Sequence, residues 1–303
     1  MQTIIYRLIR FAVQWMSCLP HPVALRMGEA LGLLWYLVPM ERKTVALENI
    51  RHSFKTMTLR ECRRLLRKTY LHFGRMFVET PFILKLSPNN LDRYITFENP
   101  ENLDRALEKG KGAFVLSAHY GNWELMAAAV TIRWGRTAMI ARPADFGPLD
   151  RVMTELRSRH GAQIIPKQRA MKPILKALKQ RFIIGILLDQ NVDWYEGVFI
   201  PFLGRWACTN RGLALITART ETPVIPAFAV RGEDGRYQIV FEEELPLHKT
   251  GDTKADVDEN TALFTRTIER YIIQHPDHWF WFHKRWKTRN YCEWKGGVEG
   301  EAS

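Results

Sequence analysis

The sequence predicts an α/β fold, a mixed sheet with helices covering both faces. Three observations carry that prediction. Short apolar runs alternate with helical runs from Leu103 to Phe241. One run, Phe182–Leu188, is apolar almost throughout, as in a strand buried on both sides. The chain has 303 residues and is 46% hydrophobic, enough for a large core in one extended domain or one domain with an appendage.

The elements follow in order. Residues 1–40 form an N-terminal helical segment. Its apolar run Phe11–Leu19 is too short to span a bilayer, and Arg7 and Arg10 interrupt what precedes it. A second apolar stretch, Ala30–Met40, is also short. These helices can pack on the body, or lie in a membrane interface with basic and aromatic sides, and the two uses are compatible; a single tilted span by the segment is the lesser alternative. The body is expected over 41–294. Residues from about Glu41 to Leu86 carry apolar side chains at helical spacing, among them Val45, Ile50, Leu65, Leu66, Tyr70, Phe73 and Phe77. Ser87-Pro-Asn-Asn ends that pattern. Helices are predicted over 103–108, 123–132, 149–159, 173–179 and 211–219. Strands are predicted over 114–117, 137–141, 163–165, 182–188, 198–202, 224–230 and 237–241, with a turn at Glu233-Asp234-Gly235. Residues 295–303, rich in Gly and Glu, are expected to fray.

Composition narrows the partners. A formal net charge of +12 and a pI near 9.7 favour something anionic, nucleic acid or a membrane face. Ten tryptophans favour the membrane. Lys and Arg are spread along the chain with no recognised nucleic-acid motif, so no nucleic-acid partner is expected. Cys18, Cys62, Cys208 and Cys292 are far apart and lack metal-ligand spacing, so no metal site and reduced thiols are expected.

The stretch Gly112-Ala-Phe-Val-Leu-Ser-Ala-His119-Tyr-Gly-Asn-Trp-Glu124-Leu holds the candidate chemistry. On one continuous helix, His119 and Glu124 would point roughly 140° apart. They can meet only if His119 lies in a turn before the helix. Gly121 relaxes that turn, Asn122 is a good N-cap, and Glu124 then sits in the first helical turn. A carboxylate there would fix the imidazole tautomer and make His119 a general base. A structural histidine at a helix start is the alternative. No Gly-x-Ser-x-Gly, His-Glu-x-x-His or P-loop occurs, and Ser117 is expected to point into the sheet. A base without a nucleophile suits direct transfer, in which an acceptor hydroxyl attacks a carbonyl.

His119-Tyr-Gly-Asn-Trp-Glu124 resembles the H-x4-D/E motif of the glycerolipid acyltransferase superfamily, and more closely the lauroyl/myristoyl acyltransferases of late lipid A biosynthesis. Further blocks are similar in order: Ala141-Arg142-Pro143 with Arg157-Ser-Arg159-His-Gly161; Ile186-Leu-Leu-Asp189-Gln190 with Gly197–Gly204; Val224-Ile-Pro226; and His275-Pro276 through Trp279-Phe-Trp281-Phe-His283-Lys-Arg285-Trp286. The likeness covers roughly residues 20–290. It implies a glycerolipid acyltransferase-like fold and transfer of a fatty acyl chain to a hydroxyl of a lipid A precursor. Another glycolipid or a lysophospholipid is the alternative acceptor. The implied donor is acyl carrier protein or acyl-CoA, with no cofactor, and the implied place is the cytoplasmic face of a bacterial inner membrane. His119 is the implied base and Glu124 its orienting partner. Arg142, Arg157 and Arg159 are implied substrate-binding residues, for acceptor phosphates or an oxyanion, and Asp189 is implied to organise the site from the end of its strand. Plainer uses stand beside these: Arg142 pairing with Asp145, Asp189 as a turn residue, and Arg159 as a surface basic residue. The Trp279–Trp286 stretch can be core or an interfacial lip. A donor-chain tunnel is expected beneath the sheet beside the Glu124–Ile132 helix.

Overall fold

The computed structural model describes residues 2–289. Cys292 and the tail expected at 295–303 lie outside them.

Four helices come first: α1 (Gln2–Ser17), α2 (His21–Leu37), α3 (Glu41–Ser53) and α4 (Leu59–Glu79). The single helical pattern of Glu41–Leu86 divides because Thr58 and Glu61 form a capping box that restarts the helix. The Thr58 amide donates to the Glu61 carboxylate at 2.7 Å, and the Glu61 amide returns to the Thr58 hydroxyl. α2 lies against α4 at backbone distance. A Cβ added at Gly74 would stand 2.2 Å from the Gly28 carbonyl oxygen and 2.6 Å from the Gly32 Cα. A buried polar cluster adds to this join. Glu79 at the end of α4 accepts from Arg231 and faces the His21 ring nitrogen at 3.0 Å. Burial raises the Glu79 pKa, but the Arg231 charge and the His21 contact outweigh it and hold the carboxyl low. Residues 2–40 therefore pack on the body. They still expose a one-sided stripe on α1, Ile4, Leu8, Phe11 and Trp15.

The sheet has seven strands in the order β1-β9-β8-β2-β5-β3-β4. They are β1 (Ile95–Glu98), β2 (Ala113–Ser117), β3 (Thr137–Ala141), β4 (Gln163–Pro166), β5 (Ile183–Leu187), β8 (Val224–Arg231) and β9 (Tyr237–Phe241). All pairs are parallel except β8 with β9, so the sheet is mixed, as expected. β6 (Gly197–Phe202) and β7 (Arg205–Asn210) form a separate hairpin. The helices α5 (Glu101–Glu108), α6 (Trp123–Trp134), α7 (Gly147–Ser158), α8 (Met171–Lys179), α9 (Gly212–Thr220) and α10 (Thr253–Gln274) complete the chain. Side chains alternate across β2. Val115 joins the core under α6 and α7, while Phe114 and Leu116 join the core under α8, α9 and α10.

Apolar periodicity does not reveal α10, although it is the longest helix described. Its buried face carries Asp256, Asn260, Thr261, Thr265 and Thr267, which break the apolar stripe. Asp256 accepts from the Thr250 amide and Asn260 from the His248 amide, so these polar residues anchor the incoming loop. The short strands β1 and β7 are likewise too polar to read.

Gly74→Ala is expected to lower stability by roughly 1–3 kcal/mol, since backbone lies where the methyl must go. Gly147→Ala, which meets nothing within 4 Å, is the control. Thermal unfolding of both variants checks this.

Candidate active site

β2 and β5 are parallel neighbours, paired from Ala113–Ile183 to Ser117–Leu187, so their carboxyl ends emerge together. Ligands bind at such ends in α/β sheets. The chain leaves β2 through Ala118, His119 and Tyr120, turns at Gly121 and enters α6. Gly121 has φ +60°, and a Cβ there would stand 1.7 Å from the Ala229 oxygen, so only glycine fits. The Asn122 side chain accepts from the Leu125 amide at 3.0 Å, capping α6 as expected. The Gly121 amide donates to the His278 oxygen, and the Phe280 amide to the His119 oxygen. The turn is thus fixed by the C-terminal segment.

The His119 ring is bound by Asp189, not Glu124. Asp189 is 2% exposed and accepts three hydrogen bonds, from the His119 amide (3.1 Å), His119 Nδ1 (2.8 Å) and Trp279 Nε1 (2.8 Å). Burial pushes the carboxyl pKa up, but the His119 contacts and the indole N–H outweigh it and hold it below its ordinary range. An ionised acceptor on Nδ1 requires that nitrogen to carry a proton, which leaves the Nε2 lone pair for chemistry. Gln190 Nε2 stands 3.2 Å from it. Trp123 packs edge-on to the imidazole, with centroids 5.1 Å apart. Ser117 Oγ has no hydrogen-bond partner, so nothing in its surroundings activates it as a nucleophile.

Glu124 lies in the first turn of α6, but it faces α7. Its two oxygens take Arg157 Nε (2.9 Å) and an Arg157 amino group (2.5 Å), and Trp123 Nε1 adds a third donor at 3.1 Å. Burial opposes the Arg157 charge, but Glu124 prevails and raises its pKa. The expected His119–Glu124 contact is replaced by two pairs, His119–Asp189 and Glu124–Arg157. The reason is topological. Asp189 follows the strand beside β2, whereas the first turn of α6 carries Glu124 away from the ring.

Both pairs reach one cavity of about 650 Å³. It runs from His119 between β2, β3 and β5 and the helices, past Met126 and Ala127, to the bonded hydroxyls of Thr131 and Thr137 (2.7 Å). This is where the donor tunnel is expected.

A family model described as bacterial lipid A biosynthesis acyltransferase matches residues 2–288. The chain belongs to that family. It is an acyltransferase. It is 24% identical over 276 residues to the lipid A biosynthesis lauroyltransferase of Escherichia coli K12, covering 89% of this chain and 87% of that protein. To the palmitoleoyltransferase of the same organism it is 23% identical, with the same coverage. It is 20% identical to a phosphatidylinositol mannoside acyltransferase of Mycolicibacterium smegmatis, over 73% of this chain and 72% of that one.

In this acyltransferase the structure places the other expected residues unequally. Arg142 lines the cavity mouth, exposed, with Asp145 at 2.8 Å. Arg157 lines the wall, with Nε and one amino group bonded to Glu124. Arg159 is exposed beyond the end of α7 and does not line the cavity. Trp279 and Trp281 are fully buried, so this part of the aromatic stretch is core, not an interfacial lip. Gln190, Trp279, Phe280 and Arg285 also serve the site, a role the sequence does not assign them. Their signal was membership of the similar blocks. Arg285, fully buried, donates to the Cys208 and Gln190 carbonyls and to Thr209 Oγ1.

His283 Nε2 accepts the Asn191 amide at 3.0 Å, which requires a neutral ring. Burial pushes its pKa down to about 4. Its ordinary value is about 6.5, so the unfolded chain binds this proton first. Stability should therefore fall as pH drops from about 6.5 towards about 4. His283→Gln should flatten that segment of a denaturant-midpoint-against-pH curve.

Proposed function

We propose that this enzyme transfers a fatty acyl chain from acyl carrier protein, or acyl-CoA, to a hydroxyl of a lipid A precursor by direct attack. The observation that carries the reading is the His119–Asp189 pair at the head of an apolar cavity. The acceptor hydroxyl displaces the Gln190 amide from His119 Nε2 and gives its proton there as its oxygen attacks the thioester carbonyl. Asp189 stabilises the imidazolium that results. The tetrahedral intermediate collapses, the C–S bond breaks, and the departing thiolate takes the proton back from Nε2–H. An ester and a thiol result, and no enzyme-bound acyl group forms. Arg157, held by Glu124, is the cation of the cavity wall and balances the oxyanion. Arg142 at the mouth binds an acceptor phosphate, with Arg159 a more distant basic contact. The acyl chain lies along α6.

The relatives support the acceptor class, since the two from Escherichia coli are named for lipid A biosynthesis. The mannoside acyltransferase supports a related glycolipid as the second reading. No described helix is long and apolar enough to cross a membrane, although α2 and α3, bent by 94° at their break, have the length and composition together. The α1 stripe and the +12 charge support attachment to an anionic bilayer, at the cytoplasmic face of the inner membrane where acyl carrier protein is available.

His119→Ala should lower the transfer rate by roughly 10²–10⁴. Asp189→Asn should lower kcat in that range too, by holding the wrong tautomer, while Glu124→Gln should cost less. The assay is label transfer from acyl carrier protein to purified precursor. A larger loss in Glu124→Gln than in Asp189→Asn would sink the assignment of the orienting carboxylate.

Leu8→Glu with Phe11→Glu should release the protein from vesicles rich in anionic lipid, read by sedimentation. Unchanged sedimentation would remove the α1 stripe from the interface.

A further inference from the structure

The cavity does not stay on one face of the sheet. Successive residues of a strand point to opposite faces. Gly185, Ile186 and Leu187 of β5 all line the cavity and are all partly accessible, and so are Met139, Ile140 and Ala141 of β3. β5 lies between β2 and β3, so its accessibility on both faces is not that of an edge. The space therefore has two lobes. One lies under α6 and ends at Thr131 and Thr137. The other lies under α8 and α9, against Ile174, Leu213 and Ile216. β5 stays paired with β2 to Leu187, but with β3 only to Gly185, so β3 and β5 part beyond Gly185. Beyond that parting the lobes meet, at the sheet end that carries His119.

An acyl chain whose carbonyl is at His119 starts at this junction and can enter only one lobe. The other lobe remains, walled by Ile140, Ile186, Ile174, Leu213 and Ile216. Water in such a space finds few polar partners, so an apolar occupant is favoured. The rims of the lobes differ. The α6 lobe is closed by buried residues. The α8/α9 lobe opens past Ala170 and Met171 to exposed Lys167 and Arg169. Glu196 pairs with Lys167 at 3.2 Å, which leaves a net positive rim.

We propose that the cavity holds two hydrocarbon chains at once, the transferred chain under α6 and a chain of the acceptor lipid under α8 and α9, with the acceptor's anionic headgroup at Lys167 and Arg169. This rests on the acyl-transfer reading and extends it. The acceptor is then a lipid that already carries an acyl chain beside the hydroxyl to be esterified. The second chain positions that hydroxyl, which makes its burial part of orientation and not only of affinity.

The test uses the full chain and needs no turnover. S-dodecyl pantetheine, a neutral and unreactive thioether, mimics the donor. Dodecyl phosphate mimics one acceptor chain with its anion. Both should bind together, the Kd for dodecyl phosphate staying within about twofold when the thioether saturates. Ala127→Trp, which fills the α6 lobe, should weaken the thioether about tenfold and spare dodecyl phosphate. Ile140→Trp should do the reverse. If Ile140→Trp does not unfold cooperatively, Lys167→Ala with Arg169→Ala replaces it, and should weaken dodecyl phosphate about tenfold without affecting the thioether. Mutual competition between the two probes would overturn the proposal. So would inorganic phosphate binding as tightly as dodecyl phosphate, since the chain would then contribute nothing. Joint binding without transfer to any lipid hydroxyl would overturn the acyl-transfer reading instead, and leave two chain sites.

Discussion

The site depends on one buried carboxylate. Asp189 has left water, which costs several kcal/mol unless its lone pairs are matched. The match comes from three places in the chain. His119 follows β2 and supplies two donors, Trp279 lies after α10 and supplies a third, and Asp189 itself follows β5. Arg285, buried and bonded to the Gln190 carbonyl of the next residue, adds a positive charge to the surroundings. Removing any contributor leaves the carboxylate short of a partner, so the strand ends and the C-terminal segment are held in one arrangement. The imidazole is fixed as a by-product of satisfying that charge.

Two carboxylates near one histidine suggest competition, and the structure resolves it by giving each its own cation or donor set. Glu124 is spent on Arg157, in a bidentate pair with a third donor from Trp123. Arg157 is always charged and binds a carboxylate through a planar fork, so that pair persists whatever the state of His119. A carboxylate so engaged has little left to offer an imidazole. In this chain the five-residue spacing therefore serves two neighbouring pairs, His119–Asp189 and Glu124–Arg157, and not one hydrogen bond.

Most of the sheet was legible because its strands are apolar runs and its crossovers are amphipathic. The turn at His119 was legible from Gly121 and Asn122, which mark its end, whereas the five-residue spacing argument presumed a His119–Glu124 contact that does not form. The partner of His119 was not. Asp189 is seventy positions away, and only the parallel pairing of β2 with β5 brings it near. Helical offsets see contacts within one segment and are blind to contacts made by strand order. α10 was hidden for a different reason. Its buried polar residues cap and brace a loop, so a pattern of apolar positions undercounts its buried face. The fate of the tryptophans was hidden as well, because Trp suits both a core and an interface, and only the bond from Trp279 Nε1 to Asp189 decides between them.

The N-terminal helices join the two themes. α2 is held to α4 where Gly28 and Gly32 meet Gly74, with no room for a side chain between them. α4 carries His72 two residues before that contact, and His72 is fully buried and neutral, with burial the largest cause of its low pKa. Its Nε2 donates to the Gly121 carbonyl at 3.3 Å, the backbone of the turn that holds His119. Only a neutral ring with its proton on Nε2 makes that bond without placing a second charge beside Arg231. The same α4 ends at Glu79, whose partner Arg231 closes β8, the strand whose Ala229 oxygen forces glycine at position 121. The helix on which α2 packs is therefore also the helix that supports the turn carrying His119, so that turn and the N-terminal helices share one frame.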